Sequence, residues 1–110
     1  MSIRRITNKM DMDMLVLERE KGCRTWKIPA NSDIKLDLWT PWVDNQAALT
    51  SKSIVIIGSN PAASVGFSIF EHQNKLYLGV DFDTRIELPG KNGGKDEIEL
   101  IIEGHKIRGE

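Results

Sequence analysis

Cysteine is almost missing from this chain. Cys23 is the only one, so no disulfide can close within the chain and the small disulfide-stapled scaffolds are excluded. Histidine is nearly as scarce. His72 and His105 are the only two, both fall beside turn sequences, and neither has a second imidazole or a thiol at zinc-ligand spacing. Both are expected at the surface. Long apolar runs are lacking too: the longest, Ile54-Val55-Ile56-Ile57, is far short of the ~18 residues that mark a membrane span. The first residues, Met1 to Thr7, carry positive charge with no apolar stretch behind them. They do not read as a signal peptide, which leaves a cytoplasmic location as the default expectation.

An excess of either charge is also absent. Fifteen basic residues face sixteen acidic ones, for a net charge of −1. General nucleic-acid binding draws on many cationic phosphate contacts, so this balance argues against it. Arg4, Arg5 and Lys9 are the nearest thing to a basic patch and are expected on a solvated face.

Catalytic signatures do not emerge. There is no Gly-x-Ser-x-Gly, Ser59 and Ser68 have no acid–base context nearby, and Cys23 has no flanking cation beyond Arg24. The stretch Gly90-Lys91-Asn92-Gly93-Gly94-Lys95 superficially suggests a phosphate loop. A true one opens a helix, whereas here Asp96-Glu97-Ile98-Glu99-Leu100 follows with the alternation of a strand. Asp81, Asp83 and Glu87, joined by Asp44 and Asn45, offer the oxygen ligands a hard cation wants, but acidic side chains on an outward strand face are ordinary. The expectation is a protein that is not an enzyme, with no catalytic residue, no metal and no cofactor.

What the sequence does have is alternation of period two, which sends successive side chains to opposite faces of a pleated strand. Ile34, Leu36 and Leu38 alternate with Asp33, Lys35 and Asp37. Ile98, Leu100 and Ile102 alternate with Glu97, Glu99 and Glu103, with Ile101 as an extra apolar residue on the outer face. Leu76, Leu78, Val80 and Phe82 are predicted on one face of a strand from Lys75 to Asp83, with Tyr77 on the other. Val65, Phe67 and Ile69 form another inward row, which puts Phe70 outside. Lys52 to Gly58 is apolar on both faces, as for a central strand. Strands are also predicted near Ile3 to Thr7 and from Met12 to Arg19, with Met10, Met12 and Met14 filling a core gap. Trp26 alternates with Ile28 and is assigned to the core.

Turn residues separate these runs, among them Pro29-Ala30-Asn31-Ser32, Gln73-Asn74 and Pro89-Gly90. Phe70 to Leu76 reads as a hairpin connection, and Lys91 to Lys95 as a mobile tip. The one predicted helix, Asp44 to Ser51, is about two turns long and needs tertiary support. The chain of 110 residues is expected to form a single all-β domain over 1–110. Roughly eight or nine short strands would make a small antiparallel β-sandwich, with a closed barrel as the alternative.

The alternation fails at Leu38-Trp39-Thr40-Pro41-Trp42-Val43-Asp44-Asn45. If Leu38 faces inward, Trp39 faces out, and Pro41 then ends the ladder. An exposed indole offers a flat apolar face and one N–H donor, suited to stacking on a sugar ring, lying at a membrane surface or anchoring a partner. The alternative is that both rings cap one end of the sandwich. The expected function is therefore a binding module of lectin-like or lipid-headgroup type, with Trp39, Trp42, Asp44, Asn45 and Tyr77 as ligand-binding residues. The competing expectation is a structural protein that forms a homo-oligomer through outward apolar residues such as Phe70 and Ile101.

Overall fold

The computed structural model describes residues 1–20, 23–58, 66–92, 97–104 and 106–110. Two sheets face each other. The smaller has the order β10-β9-β1-β4 and the larger β3-β2-β5-β6-β7-β8. The strands are β1 (Ser2–Asn8), β2 (Met14–Glu18), β3 (Thr25–Ile28), β4 (Ser32–Trp39), β5 (Ile54–Gly58), β6 (Gly66–His72), β7 (Lys75–Gly79), β8 (Ile86–Glu87), β9 (Glu97–Glu103) and β10 (Lys106–Gly109), with one helix, α1 (Gln46–Lys52). The sandwich is the expected one, and the sheets do not close into a barrel. Pairing is antiparallel except between β1 and β9, which run parallel at the centre of the smaller sheet.

Alternation builds the core. Ile3, Ile6, Leu38, Leu100 and Ile102 from the smaller sheet meet Val16, Ile54, Ile56, Ile69 and Leu76 from the larger, all almost fully buried. Each such aliphatic side chain contributes about 1.5–3 kcal/mol by leaving water. Met10 and Met14 join this core, and Met12 and Trp26 pack against it. In β1 the pairing register shifts between Ile3 and Arg5. This bulge leaves Ile3 and Ile6 inside while Arg4 and Arg5 both emerge on the outer face. There Arg4 pairs with Glu97 (3.0 Å) and Asp37 (3.5 Å), Arg5 with Asp33 (3.4 Å) and Lys9 with Glu103 (3.3 Å). The three cations are spread along a mixed-charge ladder and make no basic patch.

Three sequence expectations need correction. Strand β7 ends at Gly79, so Val80 is 75% exposed and Phe82 does not join the inward row. The cause is a turn: the Asp81 carboxylate accepts from the Thr84 N–H (2.9 Å) and hydroxyl (2.7 Å), which folds the chain back. Phe70 and Ile101, expected on outer faces, are both buried. Phe70 does point away from the main core, but it sits in a second cluster with Val43 and Leu49, flanked by Tyr77 and Phe82. Nor is His72 a surface residue, since its side chain is 12% exposed. Its Nδ1–H donates to the Val43 carbonyl (2.9 Å), and its ring stands edge-on to Phe82 at 5.2 Å. His105, Ser59, Val65 and the tip 93–95 lie outside the described residues.

The helix is short but anchored at both ends. Asn45 is extended and caps it, its side chain accepting the Ala48 N–H at 2.8 Å. Gln46 accepts the Phe82 N–H at 2.7 Å, and Leu49 is buried in the second cluster. Lys52 stands in the last turn, and the Ser53 N–H closes the end on the Leu49 carbonyl.

A cleft between the sheets at Trp39 and Trp42

Leu38 is fully buried at the end of β4, so the pleat sends Trp39 outward, where it is 58% exposed. Thr40 then turns in, its N–H and hydroxyl both donating to the Met1 carbonyl at 2.9 Å. Pro41 has no N–H for the ladder, and the chain leaves the smaller sheet there. It crosses to the larger one: the Glu71 N–H donates to the Pro41 carbonyl (2.8 Å) and the Val43 N–H to the Glu71 carbonyl (2.9 Å). Pairing of β5 with β6 has ended at Ile54–Ile69, and Trp42 forms the next bridge, to Glu71. Val43 points down into the second cluster. Its neighbour Trp42 points out and is 48% exposed.

Both tryptophans thus border one cleft of about 240 Å³, whose other walls are Glu18, Glu20, Pro41, Lys52 and Ile54. That is small for a drug-like ligand but wide enough for one sugar ring or a headgroup. A more open hollow, with Arg4, Arg24 and Asp37 among its walls, shares Trp39 and Glu18 with this cleft. The Trp42 Nε1–H donates to Asp44 Oδ1 at 2.9 Å, and the same oxygen lies 3.3 Å from His72 Nδ1. Asp44 therefore fixes the polar edge of the Trp42 ring and leaves its face open.

Glu18 is the cleft's unusual residue. It occupies an inward position of β2, after Met14 and Val16, and is 4% exposed. Arg24 engages both of its oxygens, at 2.9 and 3.0 Å, and lies over the Trp26 ring at 5.0 Å. The hydrogen bond to Glu18, reinforced by the charges of Glu18 and Asp37, holds the Arg24 guanidinium above its ordinary value. The pair is a fixed, internally neutral wall.

No family model matches the chain, and neither a curated protein nor a solved structure does.

The five residues singled out from the sequence divide by role. Trp39 and Trp42 share the cleft. Asp44 orients Trp42, and Asn45 spends its side chain on the helix cap. Tyr77 is elsewhere, stacked on Phe70 at 6.1 Å with the Arg85 guanidinium over its ring. Glu18, Glu20 and Lys52 were missed. A signal for Glu18 existed, because a carboxylate in the inward register of a strand demands a partner. Glu20 follows β2 and Lys52 closes α1 just before β5, and it is the antiparallel β2–β5 register, with Glu18 opposite Ile54, that brings the two together. Among the described residues no group of three or more His, Cys, Asp or Glu side chains could hold a metal ion, and no helix is long and apolar enough to cross a membrane.

Proposed function

We propose that this protein is a non-enzymatic binding module whose ligand is a small polar molecule with an apolar face, of the carbohydrate or lipid-headgroup class. The observation that carries the reading is the pair of half-exposed tryptophans, Trp39 and Trp42, on one cleft. Exposed indoles cost solvation, and here they stand beside charged side chains able to orient a polar ligand. The buried carboxylate supports binding rather than catalysis, because both Glu18 oxygens are occupied by Arg24.

Trp39→Ala or Trp42→Ala is expected to abolish binding while far-UV circular dichroism stays that of the wild type. The Trp42 variant removes no core contact, since Val43 and not Trp42 fills the second cluster. A glycan array and a lipid panel that are both blank for the wild-type protein would overturn the proposal.

A second reading, self-assembly, is supported by a different surface. Leu15 and Leu17 on β2 face Ile57 and Val55 on β5, all on the outer side of the larger sheet and only half buried. Contiguous apolar surface of this kind is what interfaces use. The buried Phe70 and Ile101 no longer support it. Light scattering decides: a mass well above 12.4 kDa favours assembly, and a strict monomer at high concentration rules it out.

A further inference from the structure

The walls of the tryptophan cleft hold two charged side chains, Glu20 and Lys52, with no partner among the described residues. Both line it, yet among the described residues neither side chain has an ion pair or a hydrogen bond, with the other or with any other group. Glu18, by contrast, is neutralised by Arg24. Among the described residues the cleft therefore presents one carboxylate and one ammonium without a protein partner, beside two indole rings. Opposite charges that border one small cleft without touching leave room for a ligand carrying the complementary pair.

The two ends of such a ligand can be assigned by chemistry. An alkylated ammonium spreads its charge over methyl groups, is weakly hydrated and is attracted to the face of an indole. Trp39, Trp42 and the Glu20 carboxylate suit that end. The Lys52 ammonium is a compact point charge, suited to a phosphate or carboxylate oxygen. A neutral sugar would leave both charges with hydroxyls alone.

Building on the proposed binding function, we infer that the cleft takes a small zwitterion in which an alkylated ammonium and an anionic oxygen group are joined by a short linker. A phosphocholine headgroup has this chemistry, whether on a lipid or free in solution. Trp39 and Trp42 hold the cationic end with Glu20, and Lys52 holds the anionic end.

The test is a tryptophan-fluorescence titration of the full chain with phosphocholine, tetramethylammonium, inorganic phosphate and a panel of neutral sugars. Vesicles of phosphatidylcholine and of phosphatidylglycerol are titrated in parallel. A saturable response to phosphocholine is expected, with tetramethylammonium and phosphate alone each weaker by about tenfold or more. Glu20→Gln and Lys52→Ala should each weaken phosphocholine on the order of tenfold, the loss of one charge-assisted contact, with unchanged circular dichroism. Added binding to phosphatidylcholine vesicles would place the headgroup on a lipid, and its absence would point to the free solute. Four outcomes overturn the inference: a saturable sugar response with none to phosphocholine, phosphate as effective as phosphocholine, vesicle binding without a response to soluble phosphocholine, or unchanged affinity in both charge variants. The first of these leaves the broader binding reading standing, whereas silence with every probe sinks both.

Discussion

Glu18 and Arg24 show how differently two halves of one ion pair are placed. The carboxylate is 4% exposed, while about half of the Arg24 side chain faces water. Removing Arg24 strands a buried charge, whereas removing Glu18 leaves a cation that solvent can take up. Arg24→Ala should therefore lower the urea midpoint more than Glu18→Ala does, and equal losses would show that the buried carboxylate needs no partner. Asp13 supplies a second residue-level prediction. It accepts the Ala30 N–H at 2.9 Å and pairs with Lys27 at 3.2 Å, and these hold its carboxyl below the ordinary 3.8. A depressed value in the folded state means a contribution that is complete above 3.8 and disappears as pH falls through the folded value. Asp81 is lowered in the same sense by its bonds to Thr84. The melting-temperature gap between wild type and Asp13→Asn should stay level from about pH 7 to about pH 5 and shrink below about pH 4. A gap that stays level well below about pH 4 would contradict this. At this scale the outward aim of Trp39 was legible from the sequence, because Leu38 next to it is inward. The burial of His72 was not: its turn-like neighbours Gln73 and Asn74 do form the turn, at positive φ, but Val43, Tyr77 and Phe82 close over the imidazole from other parts of the chain.

Elements were legible where one face is apolar and the other polar, as in β4 and β9. They were misread where local side-chain bonds compete with the ladder. The Asp81–Thr84 turn ends β7 four residues before the alternation does, and periodicity carries no sign of it. Short β8 and β10 also escaped notice, since two and four residues give too little alternation to register. The helix was anticipated over Asp44 to Ser51 and runs from Gln46 to Lys52. Its stability depends on its cap and on Leu49, because seven residues cannot sustain a helix alone. Asn45→Ala should cost about 1 kcal/mol in urea unfolding, with Asn45→Asp recovering most of it. No loss on capping removal would mean that packing against Phe70 alone holds the helix.

The whole molecule owes its candidate site to the way two sheets meet. Binary patterning was enough to point to an all-β fold with a covered inward face, a sandwich or a closed barrel, because each strand's inward row has to be covered by other strands. It could not specify which strands pair or which edges come together, and so could not reveal that Glu20 after β2, Lys52 just before β5 and the Trp39–Trp42 segment line one cleft. The Pro41 break lets the chain cross from the smaller sheet to the larger while both indoles stay in solvent. Acrylamide quenching of tryptophan emission tests this most directly, comparing wild type with a Trp39→Phe, Trp42→Phe double variant that retains only Trp26. The wild-type protein should emit to the red and be strongly quenched, the double variant should emit to the blue and be protected, and a bound ligand should shield the wild-type rings. A wild-type spectrum that is already blue and protected would mean that the tryptophans cap the core, and the binding cleft would not exist.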